Sequence, residues 1–136
     1  MTDNFSKYFT KIAYKKLSSV EVDIFRSHQH EFNGVAELKK IFGLEKKNIQ
    51  AYQVYFSDDA AQPTMSPVQM TWYDARENHP LRTEYRLYYA STDISQLLKE
   101  KDLMILAQRS TGQILIFFAP DGSTFENQLK TLFGIK

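Results

Sequence analysis

The chain has 136 residues, a formal net charge of +1, no cysteine and 43% apolar residues. That length suits one domain able to bury roughly two thirds of its unfolded surface, and the apolar share excludes a disordered chain. The missing cysteines exclude disulfides, thiolate nucleophiles and zinc fingers. Near-zero charge excludes a broadly basic binder of polyanions, so any such partner has to be met by positive charge concentrated locally.

Met1 to Lys7 shows no basic segment leading into an apolar run, and no window approaches the roughly 20 apolar residues of a membrane span. A soluble, cytoplasmic protein is expected. An aromatic share of 14% favours strands, and alternating or β-branched runs predict them at Phe9–Leu17, Asn48–Ser57, Val68–Asp74, Arg82–Ala90, Leu103–Gln108 and Gln113–Phe118. Between the first two, Val35, Leu38, Ile41 and Phe42 have helical spacing and Gly43 stands where a helix stops. Asn33 or Gly34 would begin that helix.

Asp58–Pro67, with two prolines, reads as a surface loop, and Ser91–Glu100 as a turn of helix or a loop lining the core with Ile94, Leu97 and Leu98. Ala119-Pro120-Asp121-Gly122 reads as a tight turn. Ser123-Thr124-Phe125-Glu126 is a capping box opening a helix over Thr124–Phe133, with Leu129, Leu132 and Phe133 on one face and Gly134 as terminator. Many short strands with two or three short helices predict a mainly β, α+β fold, an antiparallel barrel or sandwich in a single domain.

Polar chemistry concentrates in two stretches. Trp72 to Arg86 holds Tyr73, Asp74, Arg76, Glu77, Asn78, His79, Arg82, Glu84 and Arg86 around a proline-marked turn. Arginine forks match phosphate and the guanine edge, while Asn and Glu suit adenine and cytosine edges. If Arg82–Tyr89 is one strand, Arg82, Glu84, Arg86 and Tyr88 share a face, with Glu84 able to orient the two arginines beside it. Leu17 to Gly34 is the second stretch, a long polar connection carrying Arg26, Ser27, His28, Gln29, His30 and Asn33. Lys15, Lys16, Lys46 and Lys47 are candidate phosphate contacts. Met65, Met70, Met104 and Trp72 read as core, with Trp72 supporting the stretch it begins.

Two alternatives accompany that reading. His28, His30 and Glu31, completed by His79 or Glu84, are a candidate metal set for a β-barrel enzyme. Exposed strand edges and tyrosines suit a protein-interaction module. Glycine-rich phosphate loops, nucleophile elbows and metal-nuclease carboxylate spacings are absent from the sequence.

Leu17-Ser18 followed by His28-Gln29, then Tyr73-x-x-Arg76 and Arg82-x-Glu84-x-Arg86, resembles the N-terminal effector-binding domain of EcoRII-type type II restriction endonucleases over Lys15–Gly134. The resemblance implies a seven-stranded open DNA-binding pseudobarrel, similar to the DNA-binding domains of plant auxin-response transcription factors. It implies an N-arm over Ser18–Asn33, matched at His28 and Gln29, and a C-arm over Tyr73–Arg86, matched at Arg76, Arg82, Glu84 and Arg86. Both arms would grip the major groove of double-stranded DNA at a G/C-rich, CCWGG-like half-site. The domain would be non-catalytic and cofactor-free, fused in a longer bacterial or archaeal cytoplasmic endonuclease to a nuclease domain that takes Mg2+. Departures are Asp23-Ile24-Phe25-Arg26-Ser27, where the family has small Gly-rich residues, and Glu77-Asn78-His79-Pro80 in the middle of the C-arm.

Overall fold

The computed structural model describes residues 8–22, 31–59 and 61–135. In chain order these form β1 (Phe9–Lys16), α1 (Ser19–Val22), β2 (Glu31–Asn33), α2 (Ala36–Phe42), β3 (Lys47–Tyr55), β4 (Thr64–Asp74), β5 (Tyr85–Tyr89), β6 (Leu103–Arg109), β7 (Ile114–Ala119) and α3 (Thr124–Phe133). The strands make one open, curled sheet in the order β1-β6-β7-β3-β4-β5-β2. Every pairing is antiparallel except β3 with β7, where Ala51–Tyr55 lies beside Ile114–Phe118. The mainly β, seven-stranded open architecture with short helices is as the sequence predicts.

Strand alternation fills the concave side. Tyr85, Leu87 and Tyr89 point into the core while Arg86 and Tyr88 face outward. Leu38, Ile41 and Phe42 of α2 enter the same core, where Phe32 stacks on Tyr89 at 4.4 Å and Trp72 on Tyr85 at 5.2 Å. β6 is buried on both faces. Its Met104 and Leu106 belong to the inner core, whereas Leu103 and Ile105 join Ala119, Leu129 and Ile135 beneath α3. The capping box holds: the Ser123 hydroxyl accepts from the Glu126 amide at 3.1 Å, and Gly134 ends the helix in a left-handed conformation.

Several boundaries differ from the sequence expectation. β5 begins at Tyr85, so Arg82 to Glu84 belong to the connection and do not extend the strand. Thr64–Pro67 is strand, with Pro67 opposite Tyr52; β5 pairs only from Met70 onward, and a proline is tolerated where no further strand needs its missing N–H. α2 is capped from Val35, without a side-chain cap, and Asn33 is in β2. Residues 93–97 form consecutive turns, burying Ile94 and Leu98. No helix among the described residues is long and apolar enough to cross a membrane.

Candidate functional site

The pairing of β2 with β5 brings the two polar stretches together. Glu31 lies opposite Tyr88 and Asn33 opposite Arg86, so the return leg of the first connection and that of the second run side by side. Arg26, Ser27, His28, Gln29 and His30 lie outside the described residues, as does the His28/His30 part of the candidate metal set. Among the described residues no cluster of three or more His, Asp or Glu is arranged to hold a metal ion.

The feet of the first connection are held by a carboxylate the sequence reading passed over. Glu21 is fully buried. It accepts from the Lys15 ammonium at 2.5 Å, the Ser18 amide at 2.8 Å, the Ser18 hydroxyl at 2.9 Å and the Asn33 amide at 2.7 Å. The departing and returning chain are thus tied to one anion, and the Tyr89 hydroxyl donates to the Glu21 carbonyl at 2.7 Å. Charge-assisted bonds of this kind are about twice as strong as neutral ones. A signal was available: Ser18-x-x-Glu21 is a capping-box spacing.

The second connection is built from Asp74. Its Oδ1 accepts from the Arg76 amide at 2.9 Å and the Glu84 amide at 2.7 Å, closing the loop at its neck, where the Ala75 amide also donates to the Glu84 carbonyl at 2.8 Å. These amides, Glu84's first, hold the Asp74 carboxyl below its ordinary range. Beyond the neck, the His79 amide donates to the Arg76 carbonyl and the Leu81 amide to His79 Nδ1 at 3.1 Å. Glu77, Asn78, His79, Leu81, Arg82 and Thr83 are all exposed at the tip.

Charged side chains form a ladder from one stretch to the other. Glu84 takes Arg76 Nε on Oε1 at 3.2 Å and Arg86 Nη2 on Oε2, and Arg86 Nη1 reaches Glu31 Oε1 at 3.1 Å. The Tyr73 hydroxyl donates to the other Glu31 oxygen. Glu84 is held below the ordinary carboxylate range by Arg86 first and Arg76 second. The arginines beside Glu84 are therefore Arg76 and Arg86; Arg82 makes no ion pair among the described residues. The sequence placed Arg82 there because it extended the strand three residues too far.

Of the four lysines picked out, Lys15 is bound to Glu21, and Lys16 reaches Asp121 at 2.7 Å and also Glu126. Both act as structural cations across β1, α1 and α3, which argues against phosphate contact. Lys46, in the turn into β3, and Lys47, the first residue of β3, are exposed and without an ion-pair partner among the described residues. That turn is docked beneath the second connection: the Tyr85 hydroxyl donates to the Leu44 carbonyl and Trp72 Nε1 to the Gly43 carbonyl, each at 2.9 Å. Trp72 is fully buried and supports the neck, as expected.

Elsewhere on the outer sheet face, a shallow depression is lined by Gln50, Tyr52, Pro67, Gln69 and Gln113 and carries no charged group. Comparison with protein-family models, characterised proteins and solved structures gives no match.

Proposed function

We propose that this domain recognises double-stranded DNA, using residues 18–33 and 73–86 as two arms entering the major groove. One observation carries the reading: two polar connections return into adjacent strands, β2 and β5, and are held at their feet by dedicated carboxylates, Glu21 for the first and Asp74 for the second. Groove readers need side chains presented on a rigid frame, because each bidentate base contact is worth about 1–3 kcal/mol only when its geometry is fixed in advance. Exposed Asn78, Arg82 and Leu81 at the tip supply an amide, a guanidinium fork and an apolar contact. Arg76, Arg86, Tyr73, Glu77 and Glu84 complete the C-arm, and Arg26, Ser27, His28, Gln29, His30 and Asn33 the N-arm.

Lys46 and Lys47, docked beneath the C-arm, are the phosphate contacts that orient the duplex. The resemblance to EcoRII-type effector domains supports a G/C-rich, CCWGG-like target and a partner nuclease domain that performs metal-dependent cleavage, the present domain contributing recognition alone.

The test is fluorescence anisotropy with a CCWGG duplex and a scrambled duplex at physiological salt, with and without chelator. About a thousandfold preference for the first, insensitive to chelator, is the expected result. Binding to neither duplex at any salt overturns the proposal, and chelator-sensitive behaviour redirects it to a metal site at His28, His30 and Glu31. Lys46→Ala and Lys47→Ala should weaken both duplexes alike and each flatten the salt slope by about one unit.

A further inference from the structure

The second connection and its neighbour on β2 set three arginines, Arg76, Arg82 and Arg86, against four carboxylates, Asp74, Glu77, Glu84 and Glu31. A surface meant simply to attract phosphate would not carry that excess of acid. The pairing is also selective. Both Glu84 oxygens and one Glu31 oxygen face Arg76 and Arg86, and the second Glu31 oxygen is held by Tyr73. Arg82, Lys46 and Lys47 are left outside the ladder. Paired carboxylate oxygens occupy, against a guanidinium, the place that phosphate oxygens or guanine O6 and N7 would take.

We infer that Glu31 and Glu84 are specificity-determining residues: they keep Arg76 and Arg86 satisfied in the free protein, so that a phosphate backbone alone gains nothing from them. The inference rests on the DNA reading above. Among the described residues of the C-arm and the turn beneath it, passing sequences then meet Arg82, Lys46 and Lys47, which give weak, salt-dependent attraction. Engagement of Arg76 and Arg86 requires acceptors presented in register inside the groove, able to replace the carboxylates without bringing like charge against them. Discrimination comes from the cost of that exchange as much as from the base edges that Arg76 and Arg86 then meet.

Glu84→Gln and Glu31→Gln keep the side-chain shape and remove the charge. Glu45→Gln is the control: it makes the same change of net charge in the turn docked beneath the arm, at an exposed residue with no arginine partner among the described residues. Anisotropy with a short random-sequence duplex should show Glu84→Gln binding about tenfold tighter than the parent protein, with a salt slope steeper by about one to two units as arginines become available to phosphates. Glu31→Gln, which releases one arm of Arg86, should change in the same direction by less, and Glu45→Gln by no more than about twofold. A purely structural role for Glu84 would lower the melting temperature without tightening binding.

An equal gain in Glu45→Gln, or no gain in Glu84→Gln, overturns the inference. Titration with tripolyphosphate, followed on the arginine Nε–H resonances by NMR, separates it from the DNA reading. If no duplex binds yet Glu84→Gln gains tripolyphosphate affinity at Arg76 and Arg86 beyond Glu45→Gln, the DNA reading fails and the masking stands. If the two variants respond alike to tripolyphosphate, the masking fails whatever the duplex does.

Discussion

Replacing Glu21 by alanine tests whether a single buried anion holds the feet of the first connection. Glu21 has no exposed surface and accepts four hydrogen bonds, one from Lys15, whose side chain is 16% exposed. Removing one member of a buried ion pair costs about 3–5 kcal/mol, because the partner is left desolvated without compensation. Adding up four charge-assisted bonds at about 1.5–3 kcal/mol each would give more. The smaller figure is preferred, since the Lys15 ammonium and Ser18 hydroxyl can turn to water once the carboxylate is gone. For a chain of this size, about 3–5 kcal/mol corresponds to a melting temperature lower by about 10–15 °C. Urea denaturation followed by circular dichroism gives the free energy directly. A double-mutant cycle with Lys15→Met isolates the pair, with a coupling of about 1–3 kcal/mol expected. Hydrogen exchange at the Ser18 and Asn33 amides should accelerate in Glu21→Ala. A loss below about 1 kcal/mol with no coupling to Lys15 would refute the reasoning and leave the carboxylate merely tolerated.

Three further perturbations have expected outcomes. Gly34→Ala would place a Cβ 2.6 Å from the Tyr85 carbonyl oxygen and 2.9 Å from a Trp72 ring carbon. Relief would sacrifice the 2.8 Å bond from the Gly34 amide to that same oxygen, so a loss of about 2–4 kcal/mol is expected in chemical denaturation, and a loss under about 0.5 kcal/mol would contradict the packing. Lys101 has φ +74°, a left-handed conformation that favours glycine; Lys101→Gly should raise stability by about 1 kcal/mol, and a lower melting temperature would show the side chain to be needed. Asp74 and Glu84 both titrate below their ordinary values. Their folded-state contribution is therefore complete above about pH 4.5 and is lost as pH falls through the lowered values. Amide protection of Arg76 and Glu84 should hold at pH 6 and decline below about pH 4 before the rest of the sheet; uniform decline would count against a carboxylate-held neck.

The fold was legible where pattern and local chemistry agree. Tyr85, Leu87 and Tyr89 alternate with polar residues, and Ser123 with Glu126 marks a helix start, because both signals are carried by residues a few positions apart. The candidate site was legible as a region and illegible as a network. Arg82 shares the strand period with Glu84, yet β5 begins only at Tyr85, and closure of the loop by Asp74 brings Arg76 to Glu84 in its place. Lys16 finds Asp121 and Glu126 more than a hundred positions away, a partnership that no local pattern encodes. Glu21 sits in a polar run that reads as solvated; Lys15 and Ser18 are close in sequence, but the fourth donor, the Asn33 amide, arrives only with the return of β2 past α1.

The parallel seam between β3 and β7 has a bearing on how the chain acquires this shape. It is where two blocks meet, β3-β4-β5-β2 on one side and β1-β6-β7 with α3 on the other. Residues 47–89 can zip into the first block by sequential hairpins while synthesis continues, but β3 then presents a bare edge until residues 114–118 have been made. Val54 and Tyr55, buried in the finished sheet, lie at that edge in the meantime. Pairing of distant segments is slow relative to hairpin closure, and an uncovered edge recruits other chains. Production at lower temperature, or in the presence of a chaperone that shields strand edges, would therefore favour the completed sheet over aggregates seeded along β3.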